Sequence, residues 1–183
     1  VESQDEDDQQ EMFQYLRRAS KLDDNSAVTN LGMGWVSFYR QDNDSAYQYY
    51  LKAYELDPNS FEVNYNIAGF FRSLGLFEKA IKYYDRALSL NPGEVAVLPE
   101  RSTFEMRISC LMYLGRFQQA FDEIQAARGV LPDNLRICFL KFRLYVSMGR
   151  FAEAEKELGE IEKRSATDPR LPFYRALLSA NFG

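Results

Sequence analysis

Histidine is absent from this sequence. That removes the side chain most often used as a general base and as a metal ligand near neutral pH. The two cysteines, Cys110 and Cys138, stand alone in apolar stretches, with no Cys-x-x-Cys and no metal-ligand spacing. Buried free thiols are the expectation, and their unpaired state leans towards a reducing compartment, the cytoplasm. No unbroken apolar run reaches the roughly 18 residues that a membrane-spanning helix needs. No Gly-x-Ser-x-Gly, P-loop or dinucleotide fingerprint is present. Acidic neighbours such as Asp122 and Glu123 do not face each other on a helix, so they read as solvated surface. Together these absences predict a chain with no cofactor, no metal, no membrane insertion and no catalysis.

A basic excess is missing too. The net charge is −5, and Glu2, Asp5, Glu6, Asp7, Asp8 and Glu11 open the chain with no Lys or Arg among them. Without those six acids, 21 acidic residues face 22 basic ones. The body is therefore near neutral and offers no counterion release to drive nucleic-acid binding. The acidic run itself predicts a solvated leader over residues 1–8.

What is present is a repeat. Gly75–Ala80 reads GLFEKA, Gly115–Ala120 reads GRFQQA and Gly149–Ala154 reads GRFAEA, with QDNDSA over Gln41–Ala46 in the same register. Ala46, Ala80, Ala120 and Ala154 are 34, 40 and 34 residues apart. Small or apolar residues follow seven positions later, at Ala53, Ala87, Ala127 and Ile161, and Pro58, Pro92 and Pro132 come five beyond the first three. Each feature has a physical use. A glycine just past an apolar helix takes the left-handed closing conformation without a Cβ penalty. The phenylalanine after it plugs the turn, the small alanine permits close helix approach, and the proline ends the second helix. A hairpin of this kind leaves one apolar face open, which only the next hairpin covers.

With these residues the chain resembles the tetratricopeptide repeat family. The resemblance implies an all-α, right-handed superhelical solenoid of antiparallel helix hairpins. The reading places about ten helices, at 9–22, 27–40, 44–56, 61–74, 78–90, 100–114, 118–130, 135–148, 152–163 and 171–181. One array spans 9–183, with full repeats at 27–60, 61–100, 101–134 and 135–168. Residues 9–26 and 169–183 read as parts of further repeats, which predicts a piece of a longer array. Three departures stand out. GEVAVLPERS after Pro92 adds six residues, read as a longer loop over 93–98 with Pro99 opening a helix. The eighth position of the first helix, small in the family, is Gly34 and Ala68 but then Ile108 and Phe142. The seventh, usually Leu, is Met33 and Ile67 but then Arg107, Lys141 and Arg175. Bulk at the eighth position predicts hairpin helices pushed apart beyond residue 100, and the charged seventh position predicts a different packing angle.

The resemblance also implies a concave groove lined by the first helices, holding a protein or peptide segment. Its residues would be Leu31, Trp35, Phe38, Tyr65, Arg72, Met112, Phe139, Arg143 and Arg170. Leu31, Trp35 and Phe38 would form an apolar anchor, since aromatic residues dominate binding hot spots. Arg136, Arg143 and Arg170 would engage carboxylates through forked donors. The Lys and Asn of the family's chaperone-binding clamp are missing. The reading is a protein-interaction scaffold within a larger assembly. Its rivals are a self-associating structural element with a filled groove and a substrate-recruiting array of a larger enzyme.

Overall fold

The computed structural model describes Glu11 and residues 14–18, 25–91 and 102–182. The acidic leader and the inserted stretch with Pro99 lie outside the described residues. The chain divides into two compact units, Val1–Pro92 and Gly93–Gly183, and each is described by itself. Every regular element among the described residues is a helix.

In the first unit α1 (Ala27–Tyr39) pairs with α2 (Asn43–Leu56), and α3 (Phe61–Ser73) with α4 (Phe77–Leu90). Glu11 and residues 14–18 are also helical. In the second unit α5 (Thr103–Tyr113) pairs with α6 (Phe117–Val130) and α7 (Leu135–Ser147) with α8 (Phe151–Arg164), and α9 (Leu171–Phe182) follows. The ends of α1–α9 agree with the sequence reading to one residue, except that α5 begins later; the ends of the helix expected at 9–22 lie outside the described residues.

Local chemistry explains the starts. Ser26 and Ser60 precede α1 and α3, and their hydroxyls accept from the Thr29 and Val63 amides, each at 3.2 Å. Asp42 does the same for α2 from the Ser45 amide at 3.1 Å. Such caps satisfy amide donors that have no intrahelical acceptor.

The first helices α1, α3, α5 and α7 stop by one device. The Gly75 amide donates to the Arg72 carbonyl and the Leu76 amide to the Phe71 carbonyl, at 3.0 and 2.9 Å. The same pair of bonds closes α5 through Gly115 and Arg116, and α7 through Gly149 and Arg150. The three glycines hold φ between 69° and 73°, as this closing motif requires. At the end of α1 the same bonds form through Gln41 and Asp42, so Gln41 is forced to a φ of 63° without being glycine.

The alanines marked by the repeat sit at the helix crossings. Ala46, Ala80, Ala120 and Ala154 are all fully buried. Gly34 shows how tight the first crossing is, because a Cβ there would lie 2.8 Å from the Tyr50 ring. Backbones of α1–α2 and α3–α4 run close together, those of α7–α8 less so, and those of α5–α6 least. Ile108 and Phe142 occupy the matching positions and are wholly buried. Both hairpins are more open than the first two, but the more open of them holds the smaller residue, Ile108, so bulk at this position does not by itself set the width.

Charge fills part of that extra width. Arg107 of α5 pairs with Glu123 of α6. One period later, Lys141 of α7 pairs with Glu157 of α8 at 3.0 Å. Met33 and Ile67, at the same position in the first unit, are simply buried. Glu157 also accepts from Arg128 at 3.1 Å and its side chain is only 8% exposed. Two cations around one buried carboxylate offset its loss of hydration, which a lone charge could not.

Candidate functional site

The first helices carry the residues that the sequence marks for a groove. In the first unit those residues do not form one cluster. Trp35 is 41% exposed and stacks on Tyr39, one helical turn away, at 5.8 Å between centroids. Phe38 turns from it and meets the edge of Phe70 of α3 at 5.6 Å. Tyr65 stacks on Phe61 at 5.9 Å and meets Tyr84 of α4 at 6.1 Å. Leu31 is half-buried on α1, and so is Arg72 at the end of α3. The Arg72 Nε is buried with no acceptor among the described residues. Phe38 and Tyr65 thus serve packing between helices, and the open aromatic surface is Trp35 with Tyr39. Tyr39 was overlooked in the sequence, although its spacing of four from Trp35 puts the two on one face.

Three residues before Trp35, Gly32 makes room for the side chain of Leu16, which would lie 2.5 Å from a Cβ at that position. Among the described residues, the preceding helical segment thus meets α1 at Gly32.

In the second unit the three arginines do come together around one cleft of about 100 Å³, with Phe139, Tyr174 and Glu105. Two of them are already engaged. Arg136 holds Glu105 through two bonds, at 2.7 and 2.9 Å. Arg170 holds Asp168 through two bonds, at 2.9 and 2.7 Å. Its guanidinium also lies 3.9 Å from the centre of the Phe139 ring. Phe139 is buried, and its other neighbour is the Tyr174 ring, stacked at 4.9 Å. Hydrogen bonding from Arg170 holds the Asp168 carboxyl below its usual range, and Asp168 in turn raises the arginine. The Asp168 pairing has a local signal in the sequence: a turn aspartate two residues before the arginine, whose carboxylate also accepts from the Arg170 amide at 2.9 Å.

Arg143 differs. Its one polar neighbour is the Ser109 hydroxyl at 3.5 Å, and no carboxylate meets it among the described residues. It borders the cleft just described and also a second one, of about 190 Å³, whose walls include Met112, Val146 and Leu177. Met112 is thus placed in a cleft wall, half-buried on α5.

Among the described residues no cluster of three or more Cys, Asp or Glu could hold a metal ion, and no helix is long and apolar enough to cross a membrane. Cys110 and Cys138 are both buried and unbonded to each other. Burial pushes the Cys138 thiol up, aided by Glu157 and opposed by the nearby cations.

Comparison with known proteins agrees with this architecture. Sequence models of the tetratricopeptide repeat match residues 29–60, 61–94 and 111–172. No curated protein matches the sequence well enough to count as a relative. Among solved structures, a tetratricopeptide repeat protein from Parabacteroides merdae superposes with a TM-score of 0.78, at 19% identity over 100% of this chain and 71% of that one. PilF of Pseudomonas aeruginosa gives 0.70 at 17% identity, over 97% of this chain and 78% of its own. YrrB, described as a TPR protein with an unusual peptide-binding site, gives 0.62 at 15% identity, over 90% and 82%. Likeness at these identities concerns the fold.

Proposed function

Because this chain belongs to the tetratricopeptide repeat family, we propose that it is a non-catalytic scaffold that holds a segment of a partner protein along its first helices. The observation that carries this reading is the pair of adjoining clefts beside α7, walled by α5 on one side and α9 on the other. A larger cleft of about 630 Å³ lies between α8 and α9, but the pair beside α7 is the one that brings a guanidinium, that of Arg143, up against the apolar side chains of Met112, Val146 and Leu177. The exposed Trp35–Tyr39 pair adds support, since uncovered aromatic surface on a first helix offers a partner an apolar anchor. The peptide-binding site noted for YrrB concerns that protein, and it makes a peptide ligand a reasonable one to test here.

The test is a selection of displayed peptides on the purified chain, followed by mapping of the contact surface by NMR. Ligands are expected to shift resonances of first helices, and for those that shift the first unit affinity should fall in Trp35→Ala. Burial of an aromatic side chain is worth roughly 1.5–3 kcal/mol, so that fall should be at least about tenfold. Ligands that perturb only the second helices would refute the reading. A chain that sediments as a stable oligomer with its first helices protected would favour the self-associating rival.

A further inference from the structure

Three arginines border one recess, yet only one has charge to offer. Arg136 and Arg170 each spend both arms of the guanidinium on a carboxylate of this chain. A ligand acid reaching either would have to displace Glu105 or Asp168, which would then be left beside it as a like charge. Arg143 has only the distant Ser109 hydroxyl. It stands between the two clefts, bordering both. One runs back along α7 to Arg136, and the other forward past Val146 to Ser147. The forward cleft has Met112, Val146 and Leu177 in its walls, with Ser109 and Ser147 at its polar edge.

We propose that Arg143 is the acid-reading residue of this site, and that it selects an extended partner segment carrying an internal Asp or Glu next to an aliphatic side chain. The proposal rests on the scaffold reading above and names the chemistry that the second unit recognises. The carboxylate takes the forked donors of Arg143. The aliphatic neighbour enters the cleft among Met112, Val146 and Leu177. The acid is internal to the segment, not a chain terminus, because recesses continue on both sides of Arg143. A terminal carboxylate would leave one of them without an occupant. Charge complementarity and the aliphatic walls together exclude a basic or wholly polar segment.

The experiment follows arginine Nε–Hε and methyl NMR signals of the whole chain during titration with short peptides. Each peptide is acetylated and amidated and carries one Leu and one Glu at separations of one to three residues. A matched set replaces Glu by Gln, and a third set ends in a free Glu carboxylate. At least one Leu/Glu spacing should shift both Arg143 and the Met112 methyl. The Gln counterpart should bind about tenfold more weakly, the usual scale for a hydrogen bond to a charged group. The set ending in Glu should bind no better than the internal one. Arg143→Gln should abolish the difference between Glu and Gln peptides, and the peptide swap on the unaltered chain stands even if that variant folds poorly. Equal binding of Glu and Gln peptides, or shifts centred on Arg136 or Arg170, would overturn the assignment while leaving the scaffold reading intact. Shifts at Arg143 that grow with protein concentration and no peptide would put a second copy there and overturn the partner proposed. Absence of any shift at Arg143 and Met112 across the whole panel would overturn the assignment, and the displayed-peptide selection then decides the scaffold reading separately.

Discussion

Gln41 pays for closing α1 in the register of the later repeats. It adopts the left-handed conformation that Gly75, Gly115 and Gly149 adopt at the equivalent turns. An L-residue there is disfavoured by roughly 1–2 kcal/mol relative to its right-handed form, while glycine loses more chain entropy on folding. The balance predicts that Gln41→Gly stabilises the protein by up to about 1 kcal/mol. Urea unfolding would check it, and a clear loss of stability would mean that the Gln41 side chain contributes something beyond the turn. Tyr50 offers a second residue-scale test. Its ring lies under Gly34, and burial pushes its phenol up to about 12. An unfolded tyrosine ionises near 10. Its contribution is therefore intact below pH 10 and is lost as the pH rises from 10 towards 12, because only the unfolded chain releases the proton. Tyr50→Phe has no such proton, so its alkaline unfolding midpoint should move to higher pH. An unmoved midpoint in a pH titration followed by circular dichroism would assign alkaline unfolding to other groups.

Between helices, the later hairpins use ion pairs where the earlier ones use apolar contact. Met33 and Ile67 are buried at the position that Arg107 and Lys141 take in the second unit. Glu157 is the keystone of the α7–α8 pair, because it answers both Lys141 and Arg128. Removing it leaves Lys141, whose side chain is 12% exposed, without its carboxylate. Breaking a buried pair from one side costs about 3 kcal/mol, so Glu157→Ala should lower stability by that order. The paired change Lys141→Met with Glu157→Leu should recover most of the loss, since it removes charge and hydration cost together. Denaturant unfolding of the three proteins decides this. A mild effect of Glu157→Ala would mean that water reaches Lys141 in the native state.

At the scale of the molecule, two built-in probes report on different units. Trp35, the one tryptophan, lies in the first unit, and both cysteines lie in the second. The thiols are buried, so they should react with a disulfide reagent only as the second unit opens. In repeat proteins stability is roughly a sum of repeat and neighbour terms. Gly34→Ala overpacks the α1–α2 crossing against Tyr50, at a cost of about 1–3 kcal/mol. It should therefore lower the midpoint seen by tryptophan fluorescence more than the midpoint seen by thiol labelling. Equal shifts would show that the two units unfold as one. Helix positions, turn glycines and crossing alanines were legible in the sequence because each is set by residues a few positions apart, repeated at a regular period. That the later hairpins open was expected from Ile108 and Phe142 standing where Gly34 and Ala68 stand, but their order was not, since the hairpin with the smaller Ile108 opens more. The availability of the site residues was not. Arg136, Arg143 and Arg170 look alike in the sequence, yet Glu105 reaches Arg136 across 31 positions while Arg143 finds only Ser109, 34 positions away. Phe38 and Trp35 likewise look equivalent until Phe70 covers one of them and leaves the other open. Local spacing determines which face of a helix a residue occupies. Only the packing of helices distant in sequence decides whether that residue already has a partner.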